Sequence, residues 1–193
     1  LRCSETGITI PEVTARIFDS PLSAAAVTRS DGTLRFDVRG STSVAALRRQ
    51  FDSPLLEHLG GSTDWRASID SRRKRIDVRF ESDLRGLSSS LPEPLNKSAA
   101  EALPLRIERA EGAPPGDPVA VAPAGQTWRV VLGSRIDALL IGRQTGKGRT
   151  IQRGAIGLNA PARLPEAGVA LTGNLDRFDL DRWNAMLGDG ESL

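Results

Sequence analysis

Few side chains of this chain belong to the types that carry out catalysis. Among its 193 residues, His58 is the single histidine and Cys3 the single cysteine, and tyrosine is absent. A general base needs a partnered group, and a zinc cluster or an intrachain disulfide needs more than one ligand or thiol. The serines form no nucleophile elbow, because residues 86–90 read Gly-Leu-Ser-Ser-Ser and lack the final glycine. We therefore predict no catalytic site, no metal and no cofactor, with His58 as a surface or capping residue.

Two segments match ligand-binding motifs only in part. A phosphate-binding loop needs four residues between its glycines and a hydroxyl after its lysine. In the segment 142–148 the glycine spacing is three residues and Gly148 replaces the hydroxyl, so we interpret this segment as a hairpin turn. Asp176, Asp179 and Asp181 lack the glycine and the terminal glutamate of a calcium loop. Helix capping explains these aspartates better.

A basic run at Arg72–Arg75 is typical of contact with anionic lipid head groups or nucleic acid. It is equally typical of a solvated hairpin tip, the interpretation that we favour because the other charges balance. The chain has 26 Lys and Arg against 24 Asp and Glu, so nucleic-acid binding driven by bulk charge is excluded. The apolar run Ala138–Ile141 is far shorter than the ~20 residues of a membrane span.

The elements that must position any site are mostly strands. Glycine occurs 19 times, proline 12 times, and aromatic residues make up 4%, a mix typical of short strands joined by turns. Apolar and polar residues alternate with a period of two, which predicts strands with one charged face in an antiparallel sheet. The alternating runs cover residues 13–17, 33–39, 65–70, 76–81, 105–108, 128–132, 135–138 and 169–175.

Helical spacing is confined to two regions. Residues 43–59 and 178–187 carry apolar residues at helical intervals, with a serine or threonine before the first and Asp179 as a cap for the second. We predict a β-rich repeat over 1–109, a Pro- and Gly-rich loop or linker over 110–126, and strands continuing the sheet over 127–193.

These elements predict a mainly β fold: a long curved antiparallel sheet, as a trough or an open sandwich, with two or three short helices. So few helices cannot cover so many strands, and an uncovered apolar face would need a ligand or partner. The alternation is most often that of a plain sandwich core; its other interpretation is a lipid-lined groove. The predicted lining residues are Leu34, Phe36, Val38, Trp65, Ile69, Ile76, Val78, Phe80, Leu105, Ile107, Trp128, Val130 and Leu132.

Three stretches carry a family resemblance. Residues 59–69, 78–105 and 173–183 contain, in order, the patterns G-x-T-x-W, E-S-D-L-x-G-L, L-P-x-P-L-x-K and G-x-L-x-x-x-D-L-x-x-W. In these places the chain resembles the YhdP family of large bacterial envelope proteins, related to AsmA. It departs from the pattern at the polar run Ser88–Ser90 and at Asn96, where glycine is common. Residues 1–58 are similar to the preceding part of the same repeat more weakly.

The resemblance implies a non-enzymatic internal segment of a much longer periplasmic protein, anchored in the inner membrane by a region outside this sequence. Such proteins resemble bridges that shield phospholipid acyl chains in a hydrophobic β-groove between inner and outer membrane, supporting the outer-membrane permeability barrier. The implied partners are acyl chains and neighbouring repeats of the same chain, without nucleic acid. Membrane contact would be made outside this segment. The alternatives are a scaffold β-sandwich that docks envelope partners without lipid and, last, a hydrolase.

Overall fold

The computed structural model of this chain describes residues 2–4, 7–17, 19–73, 75–112, 114, 125–145 and 148–187. In these residues, twelve strands form one open sheet, and three short helices lie beyond the strand ends. The strands are β1 (Arg2–Ser4), β2 (Gly7–Ile17), β3 (Ser20–Thr28), β4 (Leu34–Ser43), β5 (Leu59–Arg72), β6 (Arg75–Ser82), β7 (Leu87–Ser89), β8 (Leu105–Glu111), β9 (Gln126–Leu132), β10 (Ile136–Thr145), β11 (Gly148–Leu158) and β12 (Gly168–Gly173).

The predicted mainly β fold with short helices is confirmed. Strands β1 to β6 and β8 to β12 follow one another across the sheet in chain order, while the short β7 pairs with β5. All of these pairs are antiparallel except β11–β12, which is parallel. The predicted antiparallel sheet is therefore confirmed for every described pair except this one at the edge. Residues 159–167 return across β10 and β11, and a crossover of this kind makes the next strand parallel.

The helices fall inside the predicted regions as α1 (Val44–Gln50), α2 (Pro54–Glu57) and α3 (Leu180–Leu187). Ser43 caps α1, since its hydroxyl accepts a hydrogen bond from the Ala46 amide at 3.2 Å. The carboxylate of Asp179 accepts from the Arg182 amide at 3.0 Å and caps α3 as predicted. None of the helices in the described part of the chain is long and apolar enough to span a membrane.

The predicted hairpin at Arg72–Arg75 is confirmed, because β5 ends at Arg72 and β6 begins opposite it at Arg75. The segment 142–148 spans the end of β10 and the start of β11, which pair as a hairpin. Its residues 146 and 147 lie outside the described residues. So do residue 113 and residues 115–124 of the predicted linker. The strands on either side of that linker, β8 and β9, are neighbours in the same sheet.

The loop between β6 and β8 is built around the ammonium group of Lys97. This group donates hydrogen bonds to the backbone carbonyls of Leu84 and Ser98, each at 2.9 Å, and to that of Leu87. Lys97 is 7% exposed, and burial lowers the pKa of its ammonium group, although the negative charge of Glu101 opposes this effect. The lysine of the family pattern therefore has a structural role in this loop.

The same loop contacts the start of β5 at a point where only glycine fits. Gly61 and Gly86 both have positive φ, of 85° and 88°. A Cβ atom on Gly61 would lie 2.0 Å from the carbonyl oxygen of Gly86, and one on Gly86 would lie 2.4 Å from that of Ser62. Two glycines of the family patterns thus allow two backbones to approach closely.

Two arginines fix the remaining loops in the same way as Lys97. The Arg48 guanidinium, on α1, donates to the carbonyls of Leu56, Glu57 and Leu59 at 2.6–3.1 Å. Arg135, before β10, donates to the carbonyls of Pro94 and Asn96 and forms an ion pair of 2.5 Å with Glu101.

Helix α3 contacts this loop region too. Arg182 donates to the carbonyl of Ser90 at 3.0 Å, and the Trp183 indole donates to that of Glu93 at 3.4 Å. The helices and loops therefore form one cluster at the strand ends rather than a layer over the sheet.

The buried apolar core is small and lies mostly outside the sheet centre. Some of it belongs to α1 and to the Lys97 loop, and some lies under the crossover formed by residues 159–167. The buried apolar side chains of the described residues are Ala26, Val44, Ala46, Leu91, Leu103, Ile141 and Ala155.

We predict that Lys97→Met lowers the free energy of unfolding by about 2 kcal/mol, because it leaves buried carbonyls without their donor. Urea unfolding followed by circular dichroism measures this change. Arg85→Met is the matched control, since Arg85 is exposed in the same loop, and it should change the stability little. Equal stability of the Lys97→Met variant and the unmodified chain would show that the ammonium does not hold the loop.

Candidate functional site

Strand register aligns apolar side chains in a continuous row across ten strands, from β2 to β12. Each member of this row pairs directly with the next, so all of them lie on one face of the sheet. Ten strands spaced about 4.8 Å apart make a row of about 43 Å. The row consists of Val13, Ala24, Val38, Ala67, Phe80, Ile107, Val130, Ala138, Ile156 and Leu171.

The thirteen predicted lining residues all lie on this same face, which we call the apolar face. Four of them are in the central row, and the others flank it in the neighbouring rows of the register. Ile76 is 43% exposed, and the other twelve are half-buried. None of them belongs to the buried core. Their common face is therefore established, whereas contact with lipid stays a prediction.

Trp65 shapes this surface through its neighbours on the adjacent strands. Its ring lies over Gly40 of β4, where a Cβ atom would come within 2.9 Å of the indole. The ring stacks on Phe80 of β6 with 5.6 Å between centroids and 28° between planes. Its Nε1 donates to the Thr42 hydroxyl at 2.9 Å. The tryptophan therefore lies flat along the sheet and adds apolar area to the face.

Several residues of the central row were not among the predicted lining residues. Ala24 belongs to β3, whose run of small residues lacks a clear alternation, and Ile156 belongs to the glycine-containing β11. Leu171, on the edge strand β12, is 67% exposed. The strand register assigns these residues to the apolar face, because each of them pairs with a residue whose face is already known.

The opposite face carries a network of ion pairs, and we call it the charged face. Glu81 on β6 bridges Arg66 on β5 at 2.9 Å and Arg106 on β8 at 3.0 Å. The hydrogen bond from Arg66 holds the pKa of the Glu81 carboxyl below its ordinary value, with desolvation opposing it and Arg106 adding to it. Further pairs join Arg79 to Glu108 and Arg129 to Asp137 at 2.9 and 3.2 Å.

Two cavities, of 1110 and 470 Å³, lie against the charged face. The larger is bordered by Arg66, Glu81, Arg106 and Arg129, and the smaller by Arg35 together with residues around Arg66. More than half of the residues that border each cavity are charged. Trp65 and Leu105 also border the larger cavity, and Ala24, Val38 and Ala67 also border the smaller one. An acyl chain in these cavities would displace solvated charges, which makes them unfavourable for lipid tails.

His58 is a capping residue, as predicted, because it ends α2. The structure also brings a hydroxyl near it, with Ser90 Oγ 3.5 Å from His58 Nδ1. That hydroxyl donates to the backbone carbonyl of His58 at 3.2 Å, and 3.5 Å is the outer limit of a hydrogen bond. Among the described residues, no group of three or more His, Cys, Asp and Glu could hold a metal ion.

These features define an open β-sheet protein with one charged face and one face that carries a continuous apolar row, which no other described element covers. The chain belongs to the YhdP family, since the family model described as YhdP protein matches residues 1–192. No curated protein sequence and no solved structure matches the chain.

We predict that Glu81→Gln lowers stability by about 0.5–1 kcal/mol at neutral pH, the size of a partly exposed ion-pair network. Because the folded pKa of Glu81 is depressed, its contribution is complete above the unfolded value of about 4.3. The contribution is lost as pH falls through the folded pKa. Urea unfolding of both proteins at stepwise lower pH measures the difference between them.

The difference in the free energy of unfolding between the unmodified chain and the Glu81→Gln variant should disappear at low pH. Glu57→Gln, on the exposed side of α2, is the control and should show no such convergence. A difference that stays constant with pH would mean that the ion pairs of Glu81 do not stabilise the sheet.

Proposed function

We propose that this chain is a non-enzymatic segment of a periplasmic, inner-membrane-anchored protein that shields phospholipid acyl chains in a β-groove. Lipids would pass along it between inner and outer membrane and so support the outer-membrane permeability barrier. Neighbouring repeats of the same long chain would extend the path at both sheet edges, and membrane contact would be made elsewhere in that protein.

The observation that carries this proposal is the unbroken apolar row on a face that no other element of the described residues covers. A row of about 43 Å is more than twice the ~15 Å thickness of one leaflet of hydrocarbon. Large apolar patches on a soluble protein mark sites for partners, membranes or ligands. Family membership supports a role in lipid transport at the cell envelope, and the face offers the surface that such a role needs.

The mechanism follows from solvation alone. Each methylene that leaves a bilayer for water costs about 0.8 kcal/mol, so an acyl chain needs apolar contact along its whole route. Side chains such as Phe80, Ile107 and Val130 supply this contact on three successive strands. The head group stays in water at the border of the face. No bond is made or broken, and no catalytic residue is required.

The alternative is a scaffold that docks envelope partners without binding lipid. The same apolar face would then be covered by protein. Lipid that copurifies with the 193-residue chain, identified by mass spectrometry after organic extraction, separates the two functions.

We predict that Phe36→Asp or Val78→Asp abolishes lipid copurification while the chain stays folded by circular dichroism. A carboxylate on the apolar face would have to be desolvated wherever an acyl chain passes, at a cost of several kcal/mol. Built into the full-length protein, the same changes should fail to restore the envelope barrier.

Ser68→Asp is the matched control, because Ser68 lies on the charged face opposite Arg79. It should retain lipid and restore the barrier. Absence of lipid from the unmodified chain, together with unfolding of both apolar-face variants, would favour the scaffold.

A further inference from the structure

Among the described residues, one ion pair lies on the apolar face. Arg109, on β8, stands in register between Val78 of β6 and Trp128 of β9, next to the central apolar row. Its guanidinium contacts the carboxylate of Glu111, two residues further on the same face, at 2.5 Å. The two side chains are 18% and 27% exposed, so the pair is set into the apolar surface.

The Arg109–Glu111 pair differs from the other ion pairs of the sheet in the face on which it lies. The Arg79–Glu108 and Arg129–Asp137 pairs lie on the charged face, among other ion pairs. A partly buried pair costs desolvation energy, and apolar residues of similar volume commonly serve stability as well or better. Two charges that interrupt an otherwise apolar surface therefore point to recognition of a polar group.

The geometry leaves hydrogen-bonding capacity on both partners. Toward the described residues, Arg109 uses two of its five N–H donors, one on the Ile76 carbonyl at 2.9 Å and one on Glu111 Oε1. Its guanidinium also lies 5.9 Å from the ring centroid of Trp128, which holds it flat against the face. Gln126 donates to the same Oε1 at 3.4 Å, while none of the described residues donates to Oε2 of Glu111.

We propose that Arg109 and Glu111 bind the head group of a zwitterionic phospholipid whose tails lie on the central row. This inference rests on the proposed lipid-shielding function and names its substrate class. The guanidinium would take the phosphodiester through its free N–H donors. Oε2 of Glu111 would accept a hydrogen bond from a primary ammonium, which a quaternary ammonium cannot donate. A glycerol hydroxyl can also donate, but it carries no charge, and a charge-assisted bond from the ammonium to the carboxylate is stronger. The site thus favours an ethanolamine head group over choline or glycerol.

The test uses the 193-residue chain and vesicles of phosphatidylethanolamine, phosphatidylcholine and phosphatidylglycerol in equal parts, all with identical acyl chains. The protein is re-isolated and its bound lipids are quantified by mass spectrometry. We expect phosphatidylethanolamine to be enriched about threefold over each of the others, the size of one partly exposed ion pair. Glu111→Gln should remove the enrichment over both competitors while total bound lipid changes little, because Glu111 contacts the part of the head group in which the three lipids differ.

Arg109→Gln should lower the total bound lipid by a similar factor for all three lipids, because they share the phosphodiester, and Arg109→Lys should restore part of the loss. Arg79→Gln and Glu108→Gln are the matched controls on the charged face and should keep the unmodified ratio. Equal binding of the three lipids by the unmodified chain overturns the head-group site. Full enrichment in the Glu111→Gln variant, or unchanged total bound lipid in the Arg109→Gln variant, overturns it too. Absence of any bound lipid in the unmodified chain overturns the transport function itself.

Discussion

Strand register is the constraint on which the rest of this structure depends. A shift of one residue in any pair would turn the side chains of that strand to the other face. Ion pairs across strands, such as those of Glu81 with Arg66 and Arg106, match the register that keeps the charged residues together. The apolar row forms on the other face as a direct consequence. One alternating pattern therefore creates both the water-facing surface and the proposed lipid path.

A sheet that leaves its apolar face open must be held together by other means. Backbone hydrogen bonds between neighbouring strands supply most of the contacts. The loops at the strand ends depend on long cationic side chains, each of which binds two or three backbone carbonyls. Arg48, Lys97 and Arg135 have this role in the three loop regions around α1, β7 and β10. Because they fix the strand ends, the loops do not need to fold over the face. The family patterns around Gly61, Gly86 and Lys97 belong to this framework.

Sequence alone predicted much of the fold, because alternation is a local property. It located strands such as β4, β5, β6 and β8 and both helical regions. It missed β3, whose alanines and serines carry little contrast between faces. It also missed the parallel edge, since the direction of β12 is set by a crossover that packs on strands distant in sequence.

The candidate site was predicted only where apolar residues alternate with charged ones along a strand. Residues with charged neighbours, such as Phe36 and Phe80, revealed their face through the pattern. Ile156 and Leu171 became part of the row only through pairing. Arg109 interrupts the alternation, so the pattern that identified the face could not assign its charged pair.

The central claim is that lipid lies on the apolar face and not in the cavities of the charged face. Two neighbouring residues of β8 allow a direct test of this claim, because Ile107 and Glu108 point to opposite faces. A photoreactive phenylalanine analogue at either position in the full-length protein, irradiated in cells, should crosslink to whatever touches that face. We predict phospholipid adducts at position 107 and none at 108, measured by mass spectrometry. Adducts at 108 alone, or at neither position in a protein that still restores the barrier, would contradict the account.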